Sequence, residues 1–310
     1  MATSGSYNFN LAKTDLINHT LRTLNLLGDN ETASSGMMDY ASESLNMMIK
    51  AWQATDIQLW NRRRGTLFTA YQTASYSIGP SGDNATNTYN STTLDAAEAS
   101  GQTVLSVTST SGFSNGDNIG ITLDDSTRQW TTISSFVTDD TVTVAAALTG
   151  AAASGNRVVT YTSKMQRPLR LLQATLKNLS DSVETPLTLI SYDQYFNYPN
   201  KTTNGRPSQF YYDKLLTNGK LYLYPRPNDV NWIIDFTYHE AIEDLDSTTD
   251  DVDFPTEWFD ALSFNLAVRL CPRYGKYKEL DYLMRLADMY RTEMVWFDTD
   301  EADLQISVGM

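Results

Sequence analysis

The sequence is short of the side chains on which many enzymes and disulfide-stabilised proteins depend. Its 310 residues include only two histidines, His19 and His239, and one cysteine, Cys271. One cysteine cannot form an intramolecular disulfide or a cysteine metal cluster, and its apolar surroundings predict a buried thiol. With only two histidines, the chain has few side chains that ordinarily titrate near neutral pH and could serve in acid–base catalysis. We therefore predict a protein that is not an enzyme, with no catalytic residues, no metal site and no cofactor.

Long hydrophobic runs and positive charge are also scarce. No segment approaches the roughly 20 apolar residues of a membrane-spanning helix, and the first ten residues lack the basic and apolar regions of a signal peptide. Lys and Arg total 23 against 37 Asp and Glu, a net charge of -14. This excess argues against broad attraction to nucleic acid or to an anionic membrane. We expect a soluble protein that is made in the cytoplasm and has no membrane partner.

Helical periodicity appears at both ends of the chain. Apolar residues three and four apart predict a helix from Thr14 to Leu27, with Gly28 as its stop, and a second helix from Ser35 to Thr55. A third helix is predicted from Pro168 to Leu179, since proline is well tolerated in a first turn.

The stretch FPTEWFDALSFNLAVRLCPRYG, residues 254–275, has almost no polar face. Pro255 suits a helix start, and the apolar positions that follow require the helix to be covered on most sides. Pro272 and Gly275 end it, and the spacing repeats from Lys276 to Phe297. The two segments predict a helical hairpin.

The middle of the chain has the alternation typical of strands. Two strands are predicted within residues 59–78, and three more at 209–212, 220–224 and 232–239. Residues 80–98 have the low hydrophobicity of a linker. Residues 99–163 then contain about five short alternating strands, a pattern typical of a small sandwich or barrel.

These elements predict an α+β protein: a helical core domain of about four to five helices with short antiparallel strands, plus an inserted all-β barrel- or sandwich-like module. Residues 1–79 and 164–297 would form the discontinuous core. Residues 80–163 would hold the inserted module and its linker, and residues 298–310 a C-terminal tail. An alternating segment at a terminus has to pair with something, which favours a partner-binding role for the tail.

Three motifs with catalytic or metal-binding precedents have simpler interpretations. Gly112–Gly116 matches the G-x-S-x-G nucleophile elbow, but an elbow lies between a strand and a helix, whereas this segment continues into another strand. His239 and Glu240 lack the second histidine of a zinc-protease motif. The acidic run Glu243–Asp253 lacks calcium-loop spacing, which favours a solvated loop over a loose cation site.

Two basic clusters stand out against the acidic background. One comprises Arg62, Arg63 and Arg64; the other comprises Lys164, Arg167 and Arg170, with Lys177 beyond them. On a strand, Arg62 and Arg64 share one face and Arg63 takes the other. Such clusters could contact DNA or the acidic surfaces of other copies of the chain. Subunit contact is the favoured interpretation.

The order of these elements resembles that of a known family. Two opening helices, a β-rich middle, the 254–275 helix, a second long helix and a free tail resemble the head-to-tail adaptors of short-tailed bacteriophages, also called head-completion or packaged-DNA-stabilisation proteins. The resemblance covers roughly Asp15–Ile78 and Met165–Met310. The module at 99–163 resembles β modules of phage structural proteins and departs from the smallest adaptors.

The resemblance implies a structural protein of the virion neck and tail, assembled in the host cytoplasm. It implies a homo-oligomeric ring, a dodecamer, that binds the portal protein, extends the DNA channel and presents a surface to tail hub, nozzle or fibre proteins. Genomic DNA would pass without sequence-specific binding. Adaptors engage the portal with C-terminal segments, which here implies Leu304, Ile306 and Val308.

Two alternatives stay open at this point. The chain could be a tail-associated protein whose β module binds or hydrolyses a glycan through Trp130, Tyr161 and nearby carboxylates. The chain could instead be a scaffold or tail-tube subunit, which would form stacks rather than one closed ring.

Overall fold

The computed structural model describes residues 12–54, 60–181, 183–247, 250 and 252–297, and these form a mixed α+β structure. A 3-10 helix, Thr256–Trp258, precedes the fourth of the α-helices. The α-helices are α1 (Lys13–Thr23), α2 (Ser35–Gln53), α3 (Tyr192–Phe196), α4 (Phe259–Leu270) and α5 (Tyr277–Phe297).

The strands lie between α2 and α4. They are β1 (Arg62–Phe68), β2 (Ser75–Ile78), β3 (Ala85–Thr86), β4 (Asn90–Thr93), β5 (Val104–Ser106), β6 (Asn118–Thr122), β7 (Arg128–Phe136), β8 (Thr141–Val144), β9 (Arg157–Tyr161), β10 (Arg170–Asn178), β11 (Glu184–Leu189), β12 (Asn204–Gly205), β13 (Gln209–Asp213), β14 (Gly219–Tyr224), β15 (Arg226–Pro227) and β16 (Trp232–His239).

The chain divides into two compact units. Met1–Asn61 and Ile242–Met310 form one, called here the helical unit, and Arg62–Ala241 form the other, called the β unit. The predicted boundaries at 79/80 and 163/164 differ from this division and stay a prediction.

The core of the helical unit is built on α4, as the apolar 254–275 stretch predicts. Its buried side chains pack against α1 and α2, and Trp258 lies at the centre of an aromatic cluster with Trp52, Trp60 and Phe254. Helix α2 begins at the predicted Ser35. Helix α1 ends at Thr23, four residues earlier than predicted, and Asn25 takes the left-handed conformation (φ 52°) that was expected of Gly28.

The predicted helical hairpin of α4 and α5 is confirmed. Gly275 has φ +67°, a conformation that few side-chain-bearing residues adopt, and the N–H of Lys276 donates to the carbonyl of Cys271. Leu283 and Ala287 of α5 are buried, and the amide of Asn265 on α4 donates to the carbonyl of Ala287 at 3.0 Å. Helix α5 is therefore fixed on one side and exposed on the other.

An eight-stranded sheet forms the larger part of the β unit, in the order β2-β14-β13-β11-β10-β16-β1-β3. The predicted helix from Pro168 to Leu179 is wrong, because residues 170–178 form β10 in the middle of this sheet. A bulge at Leu172, between Leu171 and Gln173, shifts the strand alternation by one residue and so obscures it in the sequence. On either side of the bulge, Leu171, Ala174 and Leu176 are buried.

The remaining large sheet, β4-β9-β6-β7-β8-β5, lies within the predicted module of 80–163. A bridge between Leu94 and Val107, supported by a hydrogen bond from the N–H of Thr108 to the carbonyl of Thr93, joins its two edges. The sheet is thus barrel-like, which protects its edges. The linker interpretation of residues 80–98 is wrong in part, because β3 and β4 lie there.

The barrel packs on the eight-stranded sheet through aromatic side chains. Phe68 of β1 lies 5.4 Å from Trp130 and 6.2 Å from Tyr161, measured between ring centroids. The Arg128 guanidinium lies 5.6 Å from the Phe68 ring centroid, and burial lowers the pKa of Arg128 to about 10. Cation–π attraction partly offsets the cost of burying this charge.

Candidate interaction surfaces

The sheet brings the two basic clusters of the sequence together. Strands β1 and β10 lie on opposite sides of β16, and His239 pairs with Arg62 on one side and with Arg170 on the other. Directly paired residues point to the same face, so the two arginines lie on one face, with Cα atoms about 10 Å apart. Both are exposed, whereas His239 is buried.

Further polar rows continue along the same face. Arg64, Thr237 and Gln173 form the next row. Thr66, Asp235 and Thr175 form the row after that, and Lys177 pairs with Glu184 at the neighbouring strand. We call this surface the basic sheet face; its charged members are Arg62, Arg64, Arg170, Lys177, Asp235 and Glu184.

A cleft of about 270 Å³ lies on the basic sheet face, lined mainly by hydrogen-bonding side chains. Asp235 is its least solvated carboxylate and accepts a hydrogen bond from the Thr66 hydroxyl at 2.5 Å. Burial raises the pKa of Asp235, and the Thr66 bond and the charges of Lys177 and Arg64 only partly counteract that effect. Glu184, also at the cleft, adds a negative charge that favours the protonated form.

We expect Asp235→Asn to stabilise the protein at pH 7.5 and to lose that advantage at about pH 3.5, below the ordinary Asp pKa of about 3.9. Because the folded-state pKa is raised, ionised Asp235 opposes folding, and this penalty grows as the pH rises through that pKa. The asparagine oxygen can still accept from Thr66. Urea unfolding of both proteins at the two pH values measures the difference. A variant that loses stability relative to the parent as the pH rises would contradict the assignment.

The remaining residues of the predicted basic clusters point elsewhere. Arg63 lies on the opposite face of β1 and pairs with Glu240, with the Nε and Oε2 atoms 3.1 Å apart. The Lys164 ammonium donates to the carbonyl of Gly82. Arg167 is half-buried. Of the six residues predicted for subunit or DNA contact, Arg62, Arg64 and Arg170 therefore share one surface.

The predicted turn at Gly112–Gly116 is confirmed. Gly112–Gly116 forms turns between β5 and β6, and the N–H of Ser114 donates to Asp117, so no helix follows the serine. For the glycan alternative, Tyr161 is only 2% exposed and cannot stack on a sugar, whereas Trp130 is half-buried and packs against it. Glycan binding by the β module stays a prediction.

The acidic run Glu243–Asp253 is partly tied to the helical unit. Lys50 forms an ion pair with Asp244 and donates to the carbonyl of Ile242, and Lys13 donates to the carbonyl of Leu245. Among the described residues, no group of three or more His, Cys, Asp or Glu is placed to hold a metal ion.

An aromatic surface lies at the other end of the large sheet. Tyr211 and Tyr222 pair across β13 and β14, and α3 packs Tyr195 and Phe196 against them. Tyr192 remains 54% exposed. Exposed tyrosines of this kind are enriched in protein interfaces.

The predicted portal-binding residues Leu304, Ile306 and Val308 lie outside the described residues. Within the described part of the chain, no helix is long and apolar enough to cross a membrane.

Comparison with known families decides the identity of the chain. Residues 122–295, from the end of β6 to the last turns of α5, match the family described as SU10 adaptor protein. The chain belongs to this family of phage head-to-tail adaptors. The adaptor is therefore a structural protein of a bacteriophage. No curated protein matches it.

The matched residues include β7, β8 and β9 of the barrel. The resemblance expected the module at 99–163 to lie outside the shared part, but the family match begins inside it. The second half of the adaptor's barrel is therefore part of the family pattern. The basic sheet face is split by this boundary, since β10 and β16 lie within the match and β1 lies before it.

Proposed function

We propose that the adaptor forms a closed ring, a dodecamer, that binds beneath the phage portal in the virion neck. The ring would extend the DNA channel and offer the attachment surface for tail hub, nozzle or fibre proteins. The family match over residues 122–295 carries this proposal, because it assigns the chain to the head-to-tail adaptors. The host cytoplasm would be the place of assembly.

The charge of the chain supports a channel through which DNA slides. Phosphates bind to Lys and Arg, so a wall rich in Asp and Glu would not retain packaged DNA. The sequence ranges of the helical unit hold 9 Lys and Arg against 22 Asp and Glu. The proposal therefore includes no sequence-specific DNA binding and no catalytic step.

Electron microscopy of the purified adaptor, alone and mixed with portal rings, tests the proposal. We expect a single closed ring that docks coaxially on the portal. Open-ended stacks would instead favour the tail-tube alternative. An adaptor that stays monomeric with the portal present would refute the proposed function.

We expect deletion of Leu304–Met310 to leave the protein folded and to weaken portal binding at least about a hundredfold. The segment is apolar at alternate positions and suits addition to a partner as a strand, where three buried aliphatic side chains would each contribute about 1.5–3 kcal/mol. A titration of labelled portal measures the change. A full-length adaptor that carries Leu304→Ser, Ile306→Ser and Val308→Ser should show the same loss of portal binding. This variant separates the loss of apolar side chains from the loss of chain length. Unchanged binding, or unfolding on deletion, would contradict this prediction.

A further inference from the structure

We propose that the basic sheet face is a subunit interface that receives the acidic segment, residues 243–260, of a second copy of the adaptor. The inference rests on the proposed ring and names the two surfaces that would build it. Charge complementarity is the observation that carries it.

The two units carry very different charge. The helical unit accounts for a net charge of −13, from 9 basic and 22 acidic residues, whereas the β unit has 14 basic and 15 acidic residues. Of the exposed cations of the β unit, Arg62, Arg64 and Arg170 lie together on the basic sheet face, on the two strands that flank β16. The helical unit therefore carries nearly all of the net negative charge, and the β unit presents this group of arginines.

The acidic segment combines a high density of carboxylates with a backbone that is anchored to the helical unit. It has eight Asp and Glu and no Lys or Arg: Glu243, Asp244, Asp246, Asp250, Asp251, Asp253, Glu257 and Asp260. Its backbone is held by Lys13 and by Asn46, which donates to and accepts from Leu245, while Ile242, Leu245 and Val252 are buried. Glu243, Asp246 and Asp253 are exposed. Burying the apolar side chains leaves these three carboxylates on the surface.

The chemistry of the basic sheet face favours a protein partner over DNA. Asp235 and Glu184 line the cleft together with Arg64, and their carboxylates would repel phosphates. A protein surface with both donors and acceptors can pair with arginines and also fill the polar cleft. Arginine is the cation that interfaces use most, because its planar guanidinium binds carboxylates through two hydrogen bonds.

The proposed contact is heterologous, since it joins two different surfaces. Each copy would contact one neighbour through its basic sheet face and the other neighbour through its acidic segment. Such head-to-tail contacts generate a ring when the rotation that relates neighbouring copies returns to the first copy. Attraction between opposite charges would also speed association of the copies. Because salt screens this attraction, ring assembly should weaken as the salt concentration is raised.

Charge reversal tests the inference. The face variant carries Arg64→Glu and Arg170→Glu, and the segment variant carries Glu243→Lys and Asp246→Lys. We expect each variant alone to need a concentration at least about tenfold higher than the parent to form rings, because like charges would meet at every contact. An equimolar mixture should recover ring formation, since every contact between the two variants again joins opposite charges. Mass photometry at several salt concentrations measures assembly.

A control matches the charge change of the face variant at other exposed sites. Lys214→Glu with Lys278→Glu should assemble like the parent, because Lys214 lies in the β13–β14 turn and Lys278 on α5. Thermal unfolding of each variant confirms that it is folded, and combining all four changes in one chain gives a second, single-protein test of recovery.

Three results would overturn the inference. Both variants could assemble like the parent, or a mixture of folded variants could fail to recover. The face variant could also form normal rings but bind a short DNA duplex more weakly, which would assign the face to DNA. In each case a parent ring that docks on the portal would leave the proposed function intact. Failure of the parent itself to form a ring would count against the function.

Discussion

Replacing Trp258 with alanine is expected to cost about 3–5 kcal/mol of the free energy of unfolding, the range for truncating a large buried aromatic side chain. Trp258 is 1% exposed, and its ring centroid lies 5.1 Å from that of Trp60 and 6.0 Å from that of Trp52. The cavity would open where α2, α4 and the 3-10 helix meet. Because whole domains are stable by only about 5–15 kcal/mol, the helical unit should unfold at much lower denaturant.

Trp296→Ala is the matched control, since the same substitution occurs at a side chain that is 78% exposed on α5. Its effect should stay within about 0.5 kcal/mol. Urea titrations followed by far-ultraviolet circular dichroism at the helical wavelength compare the two variants. Equal costs for both tryptophans, or a Trp258→Ala protein as stable as its parent, would show that Trp258 is not at the centre of this core.

The second large effect is expected at Gly219, the first residue of β14. A Cβ there would lie 1.9 Å from the Tyr212 hydroxyl oxygen and 2.3 Å from its ring carbon Cζ, so the ring has to move. Tyr212 is 7% exposed and donates to the carbonyl of Pro168 at 2.6 Å. Overpacking and a lost buried hydrogen bond together predict a cost of about 2–5 kcal/mol for Gly219→Ala.

Gly36→Ala provides the contrast. A Cβ at Gly36 meets no atom within 4 Å, and the residue lies in the first turn of α2, so alanine should be neutral or stabilise by up to about 1 kcal/mol. Tyr212→Phe removes the closest atom, so its cost and that of Gly219→Ala should be less than additive when the two are combined. Thermal unfolding of the four variants measures this. Additive costs would mean that the two sites do not meet.

Elements with local signals were predicted closely. Strand β16 matches its predicted range residue for residue, and α5 and α2 begin within one residue of theirs. The turn between α4 and α5 was also predictable, because the position of Gly275 requires a residue that tolerates positive φ. The family resemblance included this C-terminal helix pair, and the family match covers nearly all of it.

Strand β10 shows where local signals fail. Its leucines recur at helical spacing, and one bulge residue breaks the alternation that would have indicated a strand; a bulge is visible only against a pairing partner. The misassignment had a further consequence for the surfaces. A helix at 168–179 would have separated Arg170 and Lys177 from Arg62, so the shared basic sheet face was not predicted.

The sequence by itself determined which segments become helices and strands wherever periodicity, caps and turns agree, and it determined the acidic charge and the lack of histidine and cysteine. Tertiary structure alone decided that Arg62 and Arg170, which are far apart in the chain, flank the same residue of β16. It alone buried Tyr161 beneath Phe68 and placed Asp235 beside Thr66. Helical and strand patterns depend on neighbours within a few residues, whereas a sheet face is assembled from strands whose pairing no local pattern specifies.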